Sequence, residues 1–173
     1  VFGDRLLEQP LMQRDLTDMA VDHEAAVAVT FEAAAQFDER ERALAEGIED
    51  SDAQALMRIL VPVAKYRTAR MAVDTASYAM EIRGGNGYVE EFVNPRLLRN
   101  AQVLPIWEGP SNIMALDVLR SMASERAHEV LTEELEARLD GVDASVLTDS
   151  VSPVESELRD LEDAFGAVAT AET

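Results

Sequence analysis

The sequence predicts an all-α fold, an up-and-down four-helix bundle. Three observations point there. Apolar residues recur at spacings of three and four over long stretches. No stretch alternates apolar and polar residues as a half-buried strand does. Turn chemistry is confined to a few short punctuations, around Gly47–Ser51, Gly84–Gly87 and Pro105–Asn112, which leaves room for long antiparallel helices between them.

Residues 1–10 read as turn-like, with Gly3 and Pro10 as breaks. A helix is expected from Leu11 to about Glu41, with Leu16, Met19, His23, Ala26, Thr30 and Ala34 on its apolar stripe. On that stripe His23 reads as a packed core histidine. Residues 42–51 form a loop, and Ser51 or Asp52 can cap the next helix. That helix runs from about Asp52 to Ile82, restarting or kinking at Pro62. Its buried stripe is Leu56, Ile59, Leu60, Val63, Ala69, Val73, Ala76 and Met80. Lys65, Arg67 and Arg70 on the same helix read as solvated surface paired with neighbouring acids.

Asn94 then reads as an N-cap with Pro95 at the first helical position, opening a short helix to about Asn100. Val103–Trp107 reads as extended, because Pro105 disfavours helix before it. The last major helix is expected from Ser111 to about Leu139, with Ile113, Leu116, Leu119, Ala123, Ala127 and Val130 facing inward. The division is a helical bundle over 1–141 and an acidic tail over 142–173. Within the tail, Val154–Ala169 is a possible short amphipathic helix, weakly held or disordered.

Composition narrows the function. A chain of 173 residues holds one domain with a real core. There is no apolar run long enough to span a bilayer. Absent cysteine excludes disulfides, thiol nucleophiles and Cys-ligated metal, and two isolated histidines disfavour a His-based metal site, so no metal is expected. The formal charge of -19 repels DNA and anionic membranes from most of the surface. One lysine, Lys65, stands against fourteen arginines. Acid-rich, lysine-poor composition resembles that of proteins from salt-loving organisms, because a Debye length of about 3 Å in molar salt makes such like charge tolerable. The start Val1-Phe2-Gly3 reads as a piece of something longer.

Two places ask for chemistry. Gly84-Gly85-Asn86-Gly87 holds three glycines where a helix cap needs one. It is either plain punctuation or a backbone surface that a ligand or partner lies against. Glu108, between Trp107 and Gly109, is an acid in an apolar turn. Desolvation there would raise its pKa toward that of a general base. Alternatively, the carboxylate only complements the dipole of the following helix.

Taken together and in order, Phe2-Gly3, Gly84-Gly85-Asn86-Gly87-Tyr88, Arg96-Leu97-Leu98-Arg99 and Ile106-Trp107-Glu108-Gly109 resemble the C-terminal helical domain of acyl-CoA dehydrogenases. Leu60–Tyr66, Ala79-Met80-Glu81 and Ser111–Arg120 resemble more closely its AidB-like branch. The resemblance covers Phe2 to Arg120. It implies a flavin-dependent α,β-dehydrogenation of an acyl-CoA thioester, with Glu108 as the base that takes the α-proton and Gly109 as a substrate contact. It implies FAD contacts at Phe2, Glu81, Ser111 and Asn112. Gly84 and Gly85 would lie against the FAD of a neighbouring subunit. Electron transfer flavoprotein as electron acceptor, a homodimer or homotetramer, and a cytoplasmic setting follow from the same resemblance.

Departures from the family pattern matter. Its arginine before the Phe-Gly pair falls before Val1. Two FAD-contacting glutamines are Pro10 and Glu81 here, and the threonine after Glu-Gly is Pro110. The family's N-terminal helical and middle β-domains are missing from this chain, which is therefore expected to be inactive alone and not to retain FAD. Two further readings stand beside this one. The AidB-like branch is associated with the DNA-alkylation response, but through a basic C-terminal region, whereas this chain ends in acids. The other is a helical oligomerisation domain without chemistry of its own.

Overall fold

The helix boundaries follow from local signals. A 3₁₀ turn, Leu6–Glu8, precedes helix α1, Pro10–Ala45, with proline in the first turn where its missing N–H costs nothing. Gly47 ends α1 at φ 83°. The Ile48 N–H donates to the Ala43 carbonyl and the Gly47 N–H to Leu44, the two bonds of a Schellman cap. Ser51 caps α2, Asp52–Ile82, by accepting from the Gln54 N–H at 3.2 Å. Helices α3 (Gly85–Tyr88), α4 (Asn94–Val103), α5 (Ser111–Glu125), α6 (Ala127–Asp140) and α7 (Ala144–Ala171) follow. This computed structural model describes residues 3–49, 51–142 and 144–171; among them there are seven α-helices and no strand.

α2 is the axis of the bundle. α1, α4, α5 and α6 all pack on it. Its small residues Ala53, Ala55, Ala64 and Ala69 are buried and let its neighbours approach closely. Ile59 and Pro62 are fully buried, and α2 runs through Pro62 without a break. Ala33 of α1, Ala55, Leu56, Ile59 and Leu60 of α2 and Ala127 of α6 form the core cluster. Phe165 of α7 packs against it and meets the His128 ring edge-on at 5.4 Å. The helix in the tail is thus longer than Val154–Ala169.

Several expectations are corrected. On α1 the inward seam is Ala26, Val29, Ala33, Gln36 and Arg40, while Leu16, His23, Thr30 and Ala34 are exposed. His23 is therefore not a core histidine. Alanine and valine surround this helix, so periodicity gave little contrast between its faces. Val63 of α2 is exposed, and so are Ile113 and Leu116 of α5. The face of α5 toward α2 carries Val118, Ser121 and Met122 instead, with Asp117 salt-bridged to Arg58 at 3.3 Å. The expected single helix Ser111–Leu139 breaks at Arg126, which adopts left-handed φ 52°, ψ 33°. The break turns Ala127 into the core, at 0% exposure. Asn94 does not cap α4. It is buried, and its Nδ2 donates to the Ala79 carbonyl at 3.4 Å, tying α4 to the end of α2.

Candidate active site

The segment between α4 and α5 carries Glu108. Val103–Trp107 is not extended as Pro105 suggested. Ile106 and Trp107 both donate their N–H groups to the Val103 carbonyl, at 3.0 and 3.1 Å, so the chain keeps turning past the helix end. It then reverses through two successive left-handed residues, Glu108 at φ 54° and Gly109 at φ 115°. Positive φ at a non-glycine residue is uncommon and strained, and such strain concentrates at functional sites. A Cβ on Gly109 would also meet the terminal methyl of Met114, a flexible side chain that can swing aside.

Glu108 itself is exposed, as are Ile106 at 64% and Trp107 at 56%. The desolvated carboxylate expected from its apolar neighbours does not occur within this chain, because those neighbours also point outward. Among the described residues, no group accepts the Glu108 N–H. The site thus presents a carboxylate and a free backbone donor from the same residue.

Ser111 and Asn112 follow at once, in the first turn of α5. No side chain caps this helix, whose N-cap position is Pro110. The Ser111 hydroxyl accepts from Arg70 Nη2 at 2.9 Å. An uncapped N-terminus beside an arginine suits an anionic or strongly polar group. Ser111, Asn112 and Met114 also line a small groove of about 250 Å³ against Pro62, Val63 and Tyr66 of α2. Glu108, Gly109, Ser111 and Asn112 are therefore brought together.

The glycine turn is elsewhere. It lies before α4 and Glu108 after it, and a ten-residue helix holds its ends about 15 Å apart. Gly84 needs to be glycine for its own backbone, at φ 56° and ψ −138°. Gly87 is buried, and a Cβ on it would collide with the Met80 carbonyl. Gly85 meets neither demand. It is exposed, and a Cβ added there finds nothing within 4 Å. One glycine of the three is thus unexplained by the chain's own structure. Glu81 is exposed nearby, and its carbonyl accepts the Gly84 N–H at 2.9 Å. Phe2 lies outside the described residues.

Sequence reasoning missed two residues here. Among the described residues, neither Lys65 nor Arg70 pairs with an acid. Lys65 Nζ donates to the Leu104 carbonyl at 2.6 Å, and Arg70 reaches Ser111. The lone lysine among fourteen arginines was the available signal.

Comparison with known proteins shows the family. The family model described as the acyl-CoA dehydrogenase C-terminal domain matches residues 1–123. The chain is 42% identical over 121 residues to acyl-CoA dehydrogenase family member 11 of Caenorhabditis elegans, covering 69% of this chain and 19% of that relative. It is 37% identical over 134 residues to the putative acyl-CoA dehydrogenase AidB of Escherichia coli K12, covering 77% and 23% respectively. The crystal structure of Caenorhabditis elegans ACDH-11 in complex with C11-CoA matches with a TM-score of 0.81 at 34% identity, over 94% of this chain and 27% of that one. The chain spans about a fifth of the length of these curated relatives.

Proposed function

This chain belongs to the acyl-CoA dehydrogenase family, as its C-terminal helical domain, and from that premise we propose that Glu108 is the base that removes the α-proton of an acyl-CoA thioester. The observation that carries the proposal is the strained turn at Glu108, an exposed residue whose N–H has no acceptor among the described residues. The carboxylate would take the α-proton. The N–H would donate to the thioester carbonyl, where negative charge develops as the proton leaves. Gly109 would contact the substrate. The ACDH-11 relative's complex with C11-CoA supports this substrate class.

The residues present fit FAD. Gly85 offers backbone with open space where a Cβ would stand, and the uncapped start of α5 offers the N–H groups of Ser111 and Asn112. When bound, FAD supplies the acceptor for the hydride that leaves the β-carbon. Gly84 and Gly85 would face the flavin of a neighbouring subunit, since α4 separates them from Glu108 of their own chain. Phe2 and Glu81 complete the proposed FAD contacts. Exposed Phe31, Ile113 and Leu116 support assembly as a homodimer or homotetramer. Electron transfer flavoprotein is the proposed electron acceptor. Acyl-CoA thioesters are intracellular, so the proposed setting is the cytoplasm and the proposed role fatty acid metabolism, in a salt-rich cell given the charge of -19. Binding of DNA is disfavoured by the acids of α7, which include Glu155, Glu157, Asp160, Glu162 and Asp163. Among the described residues no helix is long and apolar enough to cross a membrane.

The test is Glu108→Gln in the full-length protein. Exchange of the substrate α-proton with solvent should cease while FAD stays bound, and unchanged exchange would refute the assignment. The isolated chain should neither turn over nor keep stoichiometric flavin through dialysis.

A further inference from the structure

We propose that Lys65 is a positioning residue for this reaction: by holding the Leu104 carbonyl, it keeps the Glu108 backbone N–H free for the substrate. The proposal rests on Glu108 being the base. It starts from helix geometry. Were α4 to continue as an α-helix, the N–H of residue 108 would donate to the carbonyl of residue 104, four positions back. Leu104 still has helical dihedrals, φ −59° and ψ −44°. Its carbonyl is the partner the Glu108 amide would have in such a helix; Lys65 Nζ takes one of its two lone pairs at 2.6 Å and ties it to α2.

The contact is favourable in its own right. Carbonyls at a helix C-terminus lack helical partners, and a cation there also faces the negative end of the dipole. Lys65 is half-buried on α2, the helix on which α1, α4, α5 and α6 pack, so its position does not depend on the turn. Five residues on, Arg70 of the same helix holds the other end of the segment through Ser111 Oγ at 2.9 Å. The segment 104–111 is thus held at both ends by α2. Between the two contacts the chain passes through the left-handed residues Glu108 and Gly109. With the Leu104 carbonyl released, the turn would relax toward a helical extension, and the Glu108 amide would be drawn into an internal bond.

The test is Lys65→Met in the full-length protein, with Lys65→Arg as the conservative variant. The α-proton exchange rate at saturating acyl-CoA should fall about 100-fold, the scale of a catalytic group misplaced by about 1 Å. KM and flavin content should change little, and Lys65→Arg should recover most of the rate. Hydrogen–deuterium exchange of the peptide spanning 104–110, on protein with or without flavin, should show the Glu108 amide becoming protected in Lys65→Met. A rate within about twofold of wild type overturns the proposal, as does a uniform loss of protection across α2 and α4, which marks a merely structural role. Glu108→Gln, run alongside, separates the two failures. If that variant keeps α-proton exchange, the base assignment itself falls and the role of Lys65 falls with it.

Discussion

Arg138 on α6 holds Glu32 on α1 through two hydrogen bonds, Nη2 to Oε1 at 2.7 Å and Nη1 to Oε2 at 3.1 Å. Arg138 Nε also donates to Glu134 at 2.7 Å, and Gln36 Nε2 donates to Glu32 Oε1 at 2.8 Å. The arginine first, and then Gln36, hold the Glu32 carboxyl below its ordinary 4.5. Asp15 is likewise held low, first by the Tyr78 hydroxyl and then by Arg14, which ties α1 to the far end of α2. A carboxyl whose folded pKa is depressed stabilises the fold above its unfolded value. That stabilisation drains away as pH falls through the folded value. Melting temperature should therefore hold steady above about pH 4.5 and drop below it. Glu32→Gln should flatten part of the drop. At neutral pH, Arg138→Met should cost only about 0.5 kcal/mol, because the guanidinium is half-exposed and its pairs are screened.

The glycine turn offers a paired test. Gly87→Ala forces a Cβ into the Met80 carbonyl, so the end of α2 and the start of α3 must move apart. Thermal stability should fall by about 1–3 kcal/mol, the scale for overpacking. Gly85→Ala meets open space and sits in a helical turn, where alanine is the better residue by up to about 1 kcal/mol. It should leave stability equal or improved. In the full-length protein it should nevertheless weaken FAD retention, read as the flavin-to-protein absorbance ratio after gel filtration. Unchanged flavin content in Gly85→Ala counts against a cofactor lying on this turn.

What was legible in the sequence divides along physical lines. Both ends of α2 could be read, because Ser51 is a cap and Gly84 a breaker, each acting within a few residues. The faces of α1 and α5 could not, because apolar residues surround both helices. Exposed Phe31, Ile113 and Leu116 mark surface that this chain alone does not cover. Glu108 was singled out by its flanking residues and by the resemblance, not by any periodicity. Its φ of 54° left no local trace, and Lys65 reaches Leu104 across 39 positions, beyond any pattern a window can hold.

The break at Arg126 left no trace either, and it carries a prediction. No glycine or proline marks it, yet the residue sits at φ 52°, ψ 33°. A side chain in the left-handed region costs about 1–2 kcal/mol relative to the right-handed one, a cost glycine does not bear. The guanidinium is exposed and, among the described residues, pairs with Glu129, three residues on. Such surface pairs contribute little. Arg126→Gly should therefore raise the melting temperature, whereas Arg126→Ala should not. If glycine lowers stability, the kink is held by the arginine side chain and not merely tolerated by the backbone.

Salt dependence tests the charge reading, because two effects oppose each other. Added salt weakens the surface pairs, such as Arg99 with Glu90 at 2.8 Å and Arg42 with Glu39 at 2.6 Å. It also relieves repulsion among 34 acids facing 15 cations. Exposed pairs are worth about 0–1 kcal/mol each, and most of the acids exceed any cation available to pair with them. Relief of repulsion should win. The melting temperature of the full-length protein should rise steadily from low salt to molar KCl, and an equal osmolality of sucrose should reproduce only a part of the rise. A flat or falling curve would mean that the acids are locally compensated, and that this composition is not an adaptation to salt.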